Sequence, residues 1–335
     1  MTRQHRHLDE DDVRVRPGRH KARPRSKERP AHSDASGATV MAVDRGRFTL
    51  ERDDGVDLYA VKARELGRKG IVVGDRVEVV GDISGDIDTQ ARIVRRRERT
   101  STLRRTADDT DPVERVIVAN ATQLAVVTAT TDPEPRTGLI DRAVVAALDA
   151  GIAPLLVITK TDLKPADDLL ALYGPLDVPV FTVDRRQVPA SLRASLAGES
   201  TVLLGHSGVG KSTLVNSLIP DADRLTGHVN DVTGRGRHTS TSVVAMHLTE
   251  GGIVIDTPGI RSFGLAHVDV QRVIHAFPDL EALTDSCPRA CSHDEAECAL
   301  TAALADAPTA ALTARVASLR RLIRSRVESL DEDAG

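Results

Sequence analysis

The stretch Thr201-Val-Leu-Leu-Gly-His-Ser-Gly-Val-Gly-Lys-Ser-Thr213 constrains this chain more than any other. Its first four residues are apolar or β-branched and read as a buried strand. Gly205-His206-Ser207-Gly208-Val209-Gly210 then forms a glycine-rich turn, and from Lys211-Ser212-Thr213 onward apolar residues recur at helical spacing. Strand, loop and helix in that order define a phosphate-binding loop. Glycines let successive backbone N–H groups curl around phosphate oxygens, and the helix N-terminus adds partial positive charge. Lys211 is placed to reach β- and γ-phosphates, and Ser212 to ligate Mg²⁺.

A phosphate loop alone serves kinases, ATPases and GTPases alike. Two further segments narrow the choice. Gly252-Ile-Val-Ile-Asp256 reads as a strand ending in a carboxylate, followed by Thr257-Pro-Gly259. Asp256 is expected to hold Mg²⁺ through water, and the Gly259 N–H to sense the γ-phosphate. Thr159-Lys160-Thr161-Asp162 also follows a strand and is similar to the Asn-Lys-x-Asp guanine motif. A carboxylate there accepts from the guanine N1–H and exocyclic amine. Adenine has no matching pair of donors, so the wrong base leaves a charge unpaired. A kinase for a small molecule would require Asp162 to be incidental.

These segments stand in an unusual order, the guanine-type segment first, the phosphate loop second and Asp256 third. Strand ends converge at one edge of a parallel sheet, so rotated connectivity can assemble the same site. The alternation from Glu114 onward supports such a sheet. Leu124–Thr128, Ala153–Ile158, Val178–Thr182 and Val202–Leu204 read as strands, and Leu139–Ala150 as an amphipathic helix with Gly151 at its C-terminal cap. The expectation is a circularly permuted GTPase with helices on both faces of a parallel sheet.

The flanks differ in character. Residues 1–36 lack apolar periodicity and are rich in Arg, Pro, Asp and His, reading either as a solvated tail or as an arm for RNA phosphates. Ala38–Val43, Arg47–Leu50, Asp57–Val61, Asp75–Val80 and Ala91–Val94 read as short strands punctuated by turn residues, the pattern of a small OB-like barrel. Aromatics are 2% of the chain and Trp is absent, which disfavours base stacking and favours shape and phosphate contacts. Arg95–Arg99 and Arg104-Arg105 read as a basic linker, either solvated or touching RNA. From Val268 the chain reads as helical, with Leu312–Leu330 at helical spacing.

All three cysteines fall in Cys287-x3-Cys291-x-His293-x4-Cys298. Three thiolates and an imidazole suit a closed, tetrahedral structural Zn²⁺ site, and their clustering argues against a spread disulfide framework. The expected architecture is therefore multidomain α/β: a basic tail over 1–36, an OB-like barrel over 37–100, a permuted GTPase over 101–267 and a helical zinc-binding domain over 268–335.

Together, the permuted motifs, preceding barrel and trailing cluster resemble the ribosome small-subunit-dependent GTPase A family (RsgA, also called YjeQ or YloQ) over roughly residues 38–300. Gly205–Thr213, Gly234–Thr241 and Asp256–Gly264 carry the likeness. The resemblance implies a late assembly factor that binds the small (30S) ribosomal subunit and its rRNA, hydrolyses GTP to GDP, and is stimulated by that subunit. It implies that Gly234–Thr241 is a switch segment, one hydroxyl of Thr239, Ser240 or Thr241 completing the Mg²⁺ shell. Ile260 stands where many GTPases carry a water-orienting Gln, so intrinsic hydrolysis is expected to be slow and His238 is the candidate for that role. Thr159 replaces the family Asn, and its shorter side chain is expected to weaken contact with base and phosphate loop. Thr182-Val183 matches the family's Ser-Ala segment only loosely, and two spacings in the Cys/His cluster are one residue shorter than the family's.

No apolar run approaches a membrane span and the N-terminus is polar from Met1, which points to a cytoplasmic protein without a membrane partner. It is expected to be monomeric off the ribosome. The alternative function is an RNA-docking, zinc-containing binding protein for which the nucleotide is a structural ligand.

Overall fold

The computed structural model describes residues 32–67, 70–86, 89–105, 115–184, 187–219, 243–257, 265, 268 and 270–325, and the fold is stated for these. Five strands appear where alternation placed them: β1 (Ser36–Asp44), β2 (Arg47–Arg52), β3 (Asp57–Lys62), β4 (Arg76–Gly81) and β5 (Ala91–Arg96). They run in the order β1-β2-β3-β5-β4, and β4 pairs back to β1, closing a barrel. Every second residue points inward. Ala38, Val40, Phe48, Leu50, Leu58, Val77, Val79 and Ile93 form its core.

The stretch read as a basic linker is structured instead. Arg95 and Arg96 lie in β5, and Arg104 and Arg105 lie in β6 (Thr102–Arg105), which pairs antiparallel with β7 (Arg115–Ala119). Arg99 makes a two-pronged ion pair with the fully buried Asp75, at 2.6 and 2.8 Å. A buried carboxylate needs such partners, so this arginine is committed to the fold. Run composition could not separate it from its exposed neighbours.

The central sheet comprises β8 (Gln123–Ala129), β9 (Ala153–Thr159), β10 (Val180–Val183), β11 (Ser200–Leu204), β12 (Val244–His247) and β13 (Ile253–Asp256). Their order is β10-β9-β8-β11-β13-β12, parallel except for the antiparallel β12–β13 pair. Between them run α1 (Thr137–Asp149), α2 (Asp167–Tyr173), α3 (Ala190–Leu196) and α4 (Lys211–Leu218). β8 shows how both faces are covered. Leu124 and Val126 pack with α1, while Ala125, Val127 and Ala129 share a core with α3 and α4.

Strand β12, not anticipated from sequence, joins this sheet to the barrel. Its Val244 pairs with Ala42 of β1, giving one continuous eleven-stranded sheet. The register of β1 against β2 shifts between Val40 and Ala42. That bulge turns Met41 out of the barrel core and into the core shared with α1.

The C-terminal part contains a 3₁₀ segment (Val270–Ala276), α5 (Pro278–Glu281), α6 (Ala299–Asp306) and α7 (Ala310–Ser325). Val316, Leu319, Leu322 and Ile323 of α7 join the same core as α1. Polar ties reinforce this packing. Arg142, 1% exposed, donates to the carbonyl of Ser325, the last described residue of α7, and Arg321 pairs with Asp141 at 2.9 Å. Arg315 forks onto Asp279 at 2.9 Å and reaches the Pro175 carbonyl. No helix among the described residues is long and apolar enough to cross a membrane.

Candidate functional site

Because β8, β9, β10, β11 and β13 are parallel, their following turns gather at one edge. The register is explicit: Thr159 pairs with Ala129 and with Val183, Leu204 with Val126, and Asp256 with Leu203. Segments distant in sequence thus meet side by side.

The phosphate loop leaves β11 and enters α4. A Cβ on Gly205 would lie 2.3 Å from the Val127 carbonyl oxygen, so only glycine allows this approach to β8. Gly210 caps α4 at φ +94°, a left-handed conformation that glycine adopts without steric cost. Lys211 is the first residue of α4 and nearly buried, its Nζ donating to the Gly205 carbonyl at 3.1 Å. Burial lowers its pKa, against the pull of Asp256, and burial likewise raises that of Asp256. Asp256 Oδ1 is buried with no hydrogen-bond partner among the described residues. A lone buried carboxylate oxygen beside a desolvated ammonium suits a cationic ligand such as hydrated Mg²⁺. Ser212 and Thr213 follow Lys211 and are exposed. Thr257, beyond Asp256, anchors to the Leu203 carbonyl at 2.6 Å.

Thr159 keeps a contact with the phosphate loop despite its shorter side chain. Its hydroxyl does reach the phosphate loop, lying 2.6 Å from the Val209 carbonyl and 3.1 Å from that of Thr128. The backbones approach closely enough that a short side chain suffices. A Cβ on Gly210 would stand 3.5 Å from that same hydroxyl. Thr161 donates to the Val183 carbonyl at 3.3 Å, which brings Thr182-Val183 beside the guanine-type turn. Asp162 is exposed within that turn.

One contributor had no sequence signal of its own. The loop after β8 lies over the junction of both turns: Thr130 contacts the backbone of Thr159 and Lys160, and Lys160 Nζ donates to the Asp132 carbonyl. Pro133 Cδ would stand 3.5 Å from a Cβ on Gly208. Only the placing of β8 between β9 and β11 reveals this loop. His238, Thr239, Ser240, Thr241, Gly259 and Ile260 lie outside the described residues, as do residues 1–31 of the basic tail.

The Cys/His segment folds into a second cluster. Ligand atoms of Cys287, Cys291, His293 and Cys298 all lie within 4.8 Å of one another. The Cys287 and Cys298 sulfurs are 3.8 Å apart, and His293 Nδ1 is 3.8 and 3.9 Å from them. An ion about 2.3 Å from each thiolate in a tetrahedron sets sulfurs about 3.8 Å apart, so the donors fit a closed four-ligand metal site. His293 adopts φ +68°, and Arg320 holds its carbonyl at 3.0 Å from α7.

Fold and site together define a phosphate-loop nucleotide-binding protein of the circularly permuted GTPase class. The RsgA GTPase family model matches residues 96–266, and the chain belongs to that family. A relative from Pseudomonas syringae pv. tomato, named small ribosomal subunit biogenesis GTPase RsgA, is 42% identical over 269 residues, 77% of this chain and 76% of the relative. Its namesake from Pseudomonas aeruginosa is 41% identical over 223 residues, 64% of this chain and 65% of the relative. In fold, the chain is similar to YjeQ from Thermotoga maritima, with TM-score 0.64 and 24% identity over 88% of this chain and 99% of that one. It is also similar to YloQ, described as a circularly permuted GTPase, with TM-score 0.61 and 22% identity over 92% and 99% of the two chains.

Proposed function

We propose that this chain hydrolyses GTP to GDP and phosphate, that the small (30S) ribosomal subunit stimulates the reaction, and that it acts late in that subunit's maturation. One observation carries the reading. Thr159 ties the turn bearing Asp162 to the phosphate loop through the Val209 carbonyl, so base and phosphates of one nucleotide are addressed by one rigid unit. The names of the relatives support the ribosomal role.

In this reading Asp162 accepts from the guanine N1–H and amine, and Thr182-Val183 offers a backbone N–H to the guanine oxygen. The loop from Gly205 to Gly210 surrounds the phosphates, with Lys211 on the β- and γ-oxygens. Ser212, Asp256 through water, and one hydroxyl of Thr239, Ser240 or Thr241 hold Mg²⁺, which when bound neutralises developing phosphate charge. The Gly259 N–H senses the γ-phosphate. His238 orients water once the subunit orders the switch, which fits the apolar Ile260. Cys287, Cys291, His293 and Cys298 hold one structural Zn²⁺. In this reading the chain divides into a basic tail over 1–36, a barrel over 37–100, a GTPase domain over 101–267 and a helical zinc-binding domain over 268–335. The barrel and basic residues meet rRNA, and the protein works in the cytoplasm as a monomer when off the ribosome.

The test is hydrolysis of GTP against ATP, with and without purified small subunits. Subunit-stimulated turnover of GTP alone is expected. Negligible turnover in both arms would favour an RNA-docking protein with a structural nucleotide, and unchanged stimulation of His238→Ala would remove that residue from the reaction.

A further inference from the structure

We infer that Thr130 is a positioning residue for guanine recognition, acting by fixing the turn that presents Asp162. The inference rests on the reading of Asp162 as the guanine carboxylate. Asp162 lies in a turn closed by the Leu163 N–H on the Lys160 carbonyl at 2.9 Å. Lys160 enters that turn at φ +58°, a conformation that residues with a Cβ disfavour. Such a turn holds one orientation only if its surroundings over-determine it.

Thr130 supplies that determination. Its hydroxyl donates to the Lys160 carbonyl at 2.8 Å, and its backbone N–H donates to the Thr159 carbonyl at 3.1 Å. It therefore grips the two consecutive peptide units on either side of the left-handed residue. At 2% exposure it meets little competition from water. The same loop holds the Lys160 side chain through the Asp132 carbonyl, so backbone and side chain are fixed from one side. A carboxylate that accepts two parallel hydrogen bonds needs angular precision, and without the Thr130 hydroxyl the Lys160 carbonyl is held only by N–H groups of its own turn, which can then rotate as a unit.

A merely structural hydroxyl would affect stability without changing base preference. Inosine triphosphate separates the two roles, because it lacks the exocyclic amine and engages Asp162 through one hydrogen bond only. Thr130→Val keeps the shape and removes the donor. We expect kcat/KM for GTP to fall about tenfold, through KM, and the GTP-over-ITP preference to shrink several-fold. Thr130→Ser should restore both. If the valine variant does not fold, Thr130→Ala against Thr130→Ser gives the same comparison. Asp162→Asn is the control and should turn preference toward xanthosine triphosphate. A wild-type GTP-over-ITP preference in the donor-less variant, with Asp162→Asn switched to xanthosine, overturns the role of Thr130. An Asp162→Asn variant that ignores xanthosine overturns the guanine reading and this inference with it.

Discussion

The nucleotide pocket and the Cys/His cluster both converge polar groups on a small volume, by opposite routes. The pocket draws on turns after five strands, and its members are far apart in sequence. The cluster draws on one segment, Cys287 to Cys298. The pocket keeps charges desolvated: burial shifts both Lys211 and Asp256 toward their neutral forms, and Asp256 Oδ1 has no partner among the described residues. Such groups oppose folding until a ligand meets them. The cluster has buried Cys291, His293 and Cys298 in a loop whose four donors suit an ion that would add to stability. One site therefore gives up stability in its empty state, and the other would add to it with an ion bound.

Four outcomes test that contrast, from the largest effect downward. Replacing Lys211 by Met should lower kcat/KM for GTP about a hundredfold or more without lowering Tm, because a positioned charge goes while the buried stem stays. A lowered Tm with near-normal turnover would reverse the contrast. Cys298→Ser should cost about 3 kcal/mol of unfolding free energy, read by denaturant titration, and strong chelation should expose thiols to a colorimetric reagent. Thiols that react equally before and after chelation would make the cluster three ordinary cysteines and a histidine. Thr159→Val removes the hydroxyl shared by the two carbonyls and should weaken GTP and GDP binding alike, by about 1 kcal/mol in titration calorimetry. A loss confined to GTP would place its action at the γ-phosphate instead. Asp256→Asn should raise the Tm of the nucleotide-free protein by about 2 °C, since an amide is cheaper to bury than a carboxylate. A fall in Tm would mean that the attraction of Lys211 outweighs desolvation.

Much of this was legible in the chain. The five barrel strands follow from period-two alternation between turn residues, and the phosphate loop from glycine spacing between an apolar strand and a helix. Local geometry determines both signals. The four metal-ligand candidates were legible for the same reason, since all lie in one short segment. What escaped was non-local. β6 was hidden because Arg104 and Arg105 look alike whether in a linker or on a strand, and β7, although its Val116-Ile117-Val118 run is β-branched, had no visible partner without it. β12 was hidden because four residues between glycine-rich segments carry little period. Arg99 could not be told from Arg97 until Asp75 was seen behind it.

Residue types and short spacings alone establish which chemistry is present: the phosphate loop, the guanine-type turn, the carboxylate after a strand and the sulfur-rich segment. These rest on residue type and short spacing, which sterics and ligand preference read directly. That Thr159 touches the phosphate loop, that the loop after β8 grips the turn of Asp162, and that β12 joins barrel and central sheet beside the bulge at Met41 follow from the tertiary structure alone. Each depends on which strands become neighbours, and that is settled by packing across the whole chain.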